Sequence, residues 1–224
     1  LRLLFFSLVI YTTTYSQVTN LIVNGVSANF TMTSGDTLSW SYNVPVGTTT
    51  LLEIWLDVNL NGSIDSASDV MLVTANQTDG DTIGNNGPPD MDGTLDGHAA
   101  LMMPVGLMPG TFVMRFTNNN ASATIAGTIT HLSSPAFTIS GHVTPPAGKS
   151  AQYILVEISR HGGGTPDFWD AYTDASGNYT IEMNADTAGN PWRASLQTQF
   201  PPNIPSPVET LITITGNITG LNFT

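Results

Sequence analysis

Apolar and polar residues alternate over short stretches of this chain, and the repeat is two residues. Leu38, Trp40 and Tyr42 fall on one side of an extended segment whose other side carries Ser39 and Ser41, the pattern of a half-buried strand. Thr50 to Asp57 (TLLEIWLD) continues with denser apolar content, and Val70 to Thr74 and Thr111 to Phe116 predict further strands. Gly35-Asp36, Pro45, Pro104, Pro109-Gly110 and Asn118-Asn119-Asn120 punctuate them at the intervals of a β-sandwich spanning Val18 to Pro135. Past the Ser133-Ser134-Pro135 break, Phe137 to Val143 starts a new set of strands that runs from Ala136 to Thr224. No segment reads as a long helix. The predicted fold class is all-β, with two tandem β-sandwiches preceded by an apolar segment, residues 1–17.

That leading segment breaks the alternation, because Leu1 to Ile10 is apolar apart from Arg2 and Ser7. Two readings of it stand side by side. As a secretory signal it has Arg2 as charged flank, Leu3 to Ile10 as apolar centre and Thr12 to Gln17 as cleavage region. As a retained segment it is too short for a spanning helix, which takes about 20 residues, while its Leu, Phe, Val and Ile suit a buried strand. Leu3, Leu4, Phe5, Phe6, Leu8, Val9 and Ile10 are then candidate polymerisation residues. Such a strand can complete a sheet in a neighbouring molecule, the exchange seen in donor-strand pili. A head-to-tail contact of that kind does not close and builds an open polymer.

Composition narrows the function classes. With 224 residues the chain can form two domains, each with its own core. Five Lys plus Arg against 17 Asp plus Glu give a formal charge of −12, which repels nucleic acid and anionic membrane surfaces. Neither nucleic acid nor a transmembrane span is expected. The absence of cysteine removes disulfides, thiolate metal sites and cysteine nucleophiles, leaving packing and hard cations as sources of stability.

The first sandwich is read as Ig-like. In the second, the opening FTISGHVTPPAG, the strand Tyr153 to Ser159 (YILVEIS), the stretch Thr173 to Ile181 (TDASGNYTI) and the ending Asn217 to Thr224 (NITGLNFT) resemble a carboxypeptidase regulatory-like domain. The resemblance implies a seven-stranded transthyretin-like sandwich used as a spacer or surface module of exported bacterial proteins; the family name does not imply peptidase activity. Physically, Asp174 to Gly177 predicts a hairpin turn after which Tyr179 and Ile181 share one face.

The sharpest chemical signal is Asp57-Val58-Asn59-Leu60-Asn61-Gly62-Ser63-Ile64-Asp65. Oxygen-bearing side chains alternate, a Gly permits a sharp turn, and another carboxylate follows, so the stretch resembles an EF-hand-type or dockerin-type calcium loop. Asp57, Asn59, Asn61 and Asp65 would give side-chain oxygens, Ser63 its carbonyl, and Asp69 would close the shell. Ser68 stands where an EF-hand has its bidentate Glu, and no helix pair flanks the loop. The competing reading is an Asn-Gly hairpin with solvated acids. A second acidic stretch offers Asp90, Asp92 and Asp96 as further candidate calcium ligands, or else is a surface loop. Calcium is the expected cofactor.

Asp36-Thr37-Leu38, Asp65-Ser66-Ala67, Asp81-Thr82-Ile83 and Asp186-Thr187-Ala188 resemble the bacterial Asp-(Ser/Thr)-apolar O-glycosylation signal, which marks Thr37, Ser66, Thr82 and Thr187. Asn-x-Ser/Thr triplets occur at Asn29, Asn61, Asn76, Asn120, Asn178, Asn217 and Asn222. His98, His131, His142 and His161 are scattered, without HExxH, GxSxG or a phosphate loop, so an enzyme is not expected. His161-Gly162-Gly163-Gly164 with Asp167 and Trp169 is a candidate sugar-contacting loop, and Trp40 and Trp55 are assigned to the core. The expectation is an exported, cell-surface structural subunit that polymerises with itself. The alternative is a calcium-binding adhesin or carbohydrate-binding module of a larger secreted protein.

Overall fold

A computed structural model describes residues 17–84, 87–104, 106–160, 168–184, 191–197 and 209–224. Eight strands build the first unit: β1 (Thr19–Val23), β2 (Phe30–Thr33), β3 (Thr37–Asn43), β4 (Thr49–Leu56), β5 (Val70–Thr78), β6 (His98–Pro104), β7 (Gly110–Asn118) and β8 (Ala121–Thr130). They form a three-stranded sheet of order β1-β3-β6 and a five-stranded sheet of order β2-β8-β7-β4-β5, in which β2 alone runs parallel to its neighbour. Leu38, Trp40 and Tyr42 of β3 face Leu52 and Ile54 of β4 and Phe112, Met114 and Phe116 of β7 across the core. Tyr42 packs on Phe116 at a ring separation of 5.2 Å, and burial pushes its phenol up to about 12.

Trp55 is buried as expected, but it packs outside this cluster. Glu53 and Trp55 are on the outer face of β4. There Arg115 of β7 makes a two-pronged ion pair with Glu53, at 2.6 and 2.8 Å, and sits 5.9 Å from the Trp55 ring. β5 also extends past the predicted end at Thr74, because Ala75 to Thr78 keep pairing with β4 despite their polarity.

The second unit contains β9 (Phe137–His142), β10 (Leu155–Arg160), β11 (Phe168–Tyr172), β12 (Asn178–Met183), β13 (Trp192–Gln197) and β14 (Glu209–Ile212). Among the described residues its sheets are β11-β10-β13-β14 and β12-β9. The C-terminal stretch docks beside β9 through parallel bridges Ile139↔Ile218 and Val143↔Phe223. Asn217 and Asn222 extend this pairing with side chains that accept the Thr138 and His142 amides, each at 2.9 Å. Gly141 is required here: a Cβ would stand 1.8 Å from the Leu221 carbonyl oxygen.

Two expectations change. Tyr153 has a left-handed φ of 64°, which ends extended backbone, so β10 starts at Leu155 rather than Tyr153. The Asp174–Gly177 turn is present, with the Gly177 amide donating to the Asp174 carbonyl at 2.9 Å. It is no hairpin: β11 pairs with β10 and β12 with β9, so the turn crosses between sheets. Tyr179 and Ile181 then enter the core together.

The sheets of the first unit are tied by one buried amide. Gln77 Oε1 accepts from Trp40 Nε1 at 2.9 Å and from the Tyr42 hydroxyl at 3.0 Å, while Nε2 donates to the Pro89 and Ala100 carbonyls at 2.9 and 3.1 Å. Gln77→Leu keeps the volume and strips these partners, so it is expected to cost roughly 2–4 kcal/mol in urea unfolding. A loss below about 1 kcal/mol would mean that the stranded donors find other acceptors.

Candidate functional site

Asp57 to Asp69 connect β4 to β5, and their carboxylates organise the backbone around them. Asp57 is 1% exposed and accepts the Asn61 and Gly62 amides at 3.1 and 2.8 Å. Asp69, 8% exposed, accepts the Val58 and Asp65 amides at 3.0 and 2.7 Å. Asn59 Oδ1 accepts from the Asn61 amide, and Asn61 Oδ1 from the Ser63 amide. Asp65 Oδ1 accepts from the Ala67 amide. Leu60 and Gly62 have φ of 59° and 71°, the left-handed turn that Gly permits without strain. Among the described residues no Lys, Arg or His pairs with Asp57, Asp65 or Asp69, so the buried Asp57 and Asp69 have no protein cation as partner. Each carboxylate keeps lone pairs beyond those its amide donors use. Among the described residues no three His, Cys, Asp or Glu side chains cluster as metal ligands; the further oxygens of this loop come from Asn and the backbone.

The second acidic stretch, between β5 and β6, is ordered by the same chemistry. Asp79 accepts the Gly47 amide at 2.7 Å and the Gly97 amide at 3.0 Å, and Asp90 accepts the Gly80 and Ala100 amides at 2.8 and 3.0 Å. Both are buried; Asp79 opens the acidic stretch that the sequence marks, whereas nothing local marks Gln77, because an amide carries no sign of its partners. Asp92 instead pairs with His98, whose hydrogen bond holds the carboxyl below the usual range. Asp96 accepts the His98 amide at 2.9 Å. Asp90 thus serves the Gly80 and Ala100 amides, while Asp92 and Asp96 both serve His98, one at its ring and one at its amide.

A cleft of about 630 Å³ opens on one side of the first sandwich, between the β5 and β6 edges. Leu38, Trp40, Leu52, Leu72, Leu101 and Met103 line its apolar walls. Glu157 and Asp170 are its acidic lining, contributed with Phe168 and Tyr172 by the outer face of the β10–β11 pair. The units dock beside it: the Asp170 amide donates to the Gly106 carbonyl at 3.0 Å, and the Met108 amide donates to Asp170 Oδ1 at 3.1 Å. Burial pushes the Asp170 carboxyl up to about 7, opposed by the Met108 hydrogen bond and assisted by the charge of Glu157.

Of the remaining candidates, Thr37, Ser66 and Thr82 are exposed. Thr187, His161 to Asp167, and Leu3, Leu4, Phe5, Phe6, Leu8, Val9 and Ile10 lie outside the described residues. Trp169 packs in the second core. His131 meets Glu182 at 3.1 Å, and His142 Nε2 lies 2.9 Å from the Ser176 carbonyl.

Asp170 makes stability depend on pH. The folded chain keeps its proton up to about pH 7, whereas the unfolded chain releases it near the ordinary 3.8. Its contribution is therefore full below the unfolded value and lost as pH rises through the folded one. Asp170→Asn is expected to flatten this slope by at most about 4 kcal/mol. Urea unfolding at about pH 4 and about pH 8 checks it; equal slopes in both proteins would contradict the assignment.

No family model matches the chain, and no curated protein matches it. Among solved structures it is similar to a variant of BcpA, the major pilin subunit of Bacillus cereus, at 10% identity and a TM-score of 0.26, over 93% of this chain and 69% of that one. It is also similar to the N-terminal four Ig domains of Dscam1 isoform 6.9, at 8% identity and a TM-score of 0.26, covering 92% of this chain and 46% of that one. The Bacillus anthracis TIE protein aligns at 11% identity and a TM-score of 0.25, over 92% of this chain and 40% of its own. The chain spans less than half the length of the last two. Its own sheets and cores make it an all-β protein of two tandem sandwiches, and among the described residues no helix is long and apolar enough to cross a membrane.

Proposed function

We propose that this chain is a non-enzymatic structural subunit of an extracellular filament, in which the apolar segment Leu3 to Ile10 of one copy enters the first sandwich of the next. The open side of that sandwich supports this reading most. Residues of both of its sheets line one cleft of about 630 Å³, in which Met91 and Met102 stand exposed. An inserted strand would cover them at about 25 cal/mol per Å² of apolar area, a gain set against the ordering of the strand. The acidic surface keeps exported subunits apart until specific contacts form.

Calcium at Asp57, Asn59, Asn61, Ser63, Asp65 and Asp69 would stiffen the β4–β5 connection, and the exposed Thr37, Ser66 and Thr82 are proposed glycan positions. The two buried, unpaired carboxylates favour a hard cation over a merely solvated turn. A second reading, a calcium-binding adhesin, draws on the exposed Ile83, Met91 and Leu95 of the β5–β6 loop.

Electron microscopy of the intact chain is expected to show filaments, and Leu4→Asp with Phe6→Asp is expected to leave monomers. Filaments that persist in the double variant would reject strand donation. Calcium at about a hundred times its Kd should add about 2.7 kcal/mol, a rise in Tm that chelator reverses and that Asp57→Ala abolishes. Identical melting with and without chelator would remove calcium from the account.

A further inference from the structure

We propose that the acceptor is built by both sandwiches: Arg2 of an incoming second copy lodges against Glu157 and Asp170, and the apolar residues behind it cover the exposed Met91 and Met102. The inference rests on the filament reading and adds the direction and register of the inserted strand.

The acid pair is poised for a cation. Glu157 and Asp170 are direct cross-strand partners of β10 and β11, on the face turned toward the first unit, and like charges so placed repel. Arg193 Nη2 lies 3.6 Å from Glu157 Oε1, but the same guanidinium also reaches Ser159 and stands 4.0 Å from Glu209. Two carboxylates and a hydroxyl therefore share one guanidinium. The chain has five Lys plus Arg; Arg115 is engaged with Glu53, and Arg160 lies over Trp192. Arg2 is the one Lys or Arg in residues 1–17, placed at the head of the apolar run. A lone cation leading an apolar strand matches an acid pair adjoining an apolar cleft, and charge complementarity of this kind fixes register.

Direction follows from where the acids lie. Asp170 binds Gly106 and Met108, just past the end of β6, whereas Pro88, Pro89 and Met91 line the cleft near its start. A strand anchored by Arg2 therefore runs antiparallel to β6 and is held by its side chains, since Asp90 takes the Ala100 amide and Met91 Sδ the Met102 amide. Four residues span about 13 Å in either strand, which sets Phe6 opposite Met102, a cleft residue that is 60% exposed.

Since the chain lacks cysteine, the full-length variant Phe6→Cys with Met102→Cys tests the register without background. Mild oxidation is expected to give a ladder of covalent oligomers on a non-reducing gel. A cross-link within one chain, or none, overturns the assignment. In parallel, Arg2→Glu should raise the critical concentration for assembly by about tenfold or more, and adding Glu157→Lys should restore it; an unchanged threshold, or no rescue, also overturns it. Filaments that form while these arms fail leave the filament reading standing without this acceptor. Absence of any self-association in the unaltered chain removes both.

Discussion

Gln77 connects the two sheets of the first unit at the side where no strand closes them. A carboxamide has two donors and two lone-pair directions, and here four partners from β3, the β5–β6 loop and β6 meet them. A buried amide so satisfied adds direction that apolar packing lacks. It fixes how far apart Trp40 and the β5 edge stand, and hence the end of the cleft below them.

Carboxylates perform the same service for the loops. Two sheet edges face each other across the opening, and exposed edge amides invite pairing with other chains. Near the start of β6 the invitation is withdrawn: Asp90 takes the Ala100 amide, and Met91 donates to the Ala100 carbonyl. Pro104 brings no amide at the other end of the strand. In a chain with only five cationic side chains, backbone amides are the abundant positive partners, and Asp57, Asp69, Asp79 and Asp90 all use them.

The second unit is held against the first by close approach as well as by hydrogen bonds. A Cβ on Gly35 would stand 2.5 Å from the Trp169 ring, and one on Gly106 2.4 Å from the Phe168 carbonyl oxygen. Only glycine at these two positions lets β11 lie so near. That proximity brings the Glu157–Asp170 pair to a cleft whose other walls are apolar, and it turns a module that resembles a spacer into part of a chemically distinct surface.

Alternation and turn residues made the all-β class and β3, β4 and β7 legible, because burial on one face of a strand leaves a mark every second residue. Asn-Gly spacing marked the β4–β5 loop for the same local reason. The sequence by itself could not reveal the Gln77 bonds or the Asp170 environment, since their partners are 12 to 62 residues distant. Nor could it tell that Trp55 faces outward or that the Asp174–Gly177 turn changes sheets. Pattern reports which face of a strand avoids water. Which sheet that strand joins, and what burial does to one carboxyl there, depends on long-range pairing that only the tertiary structure decides.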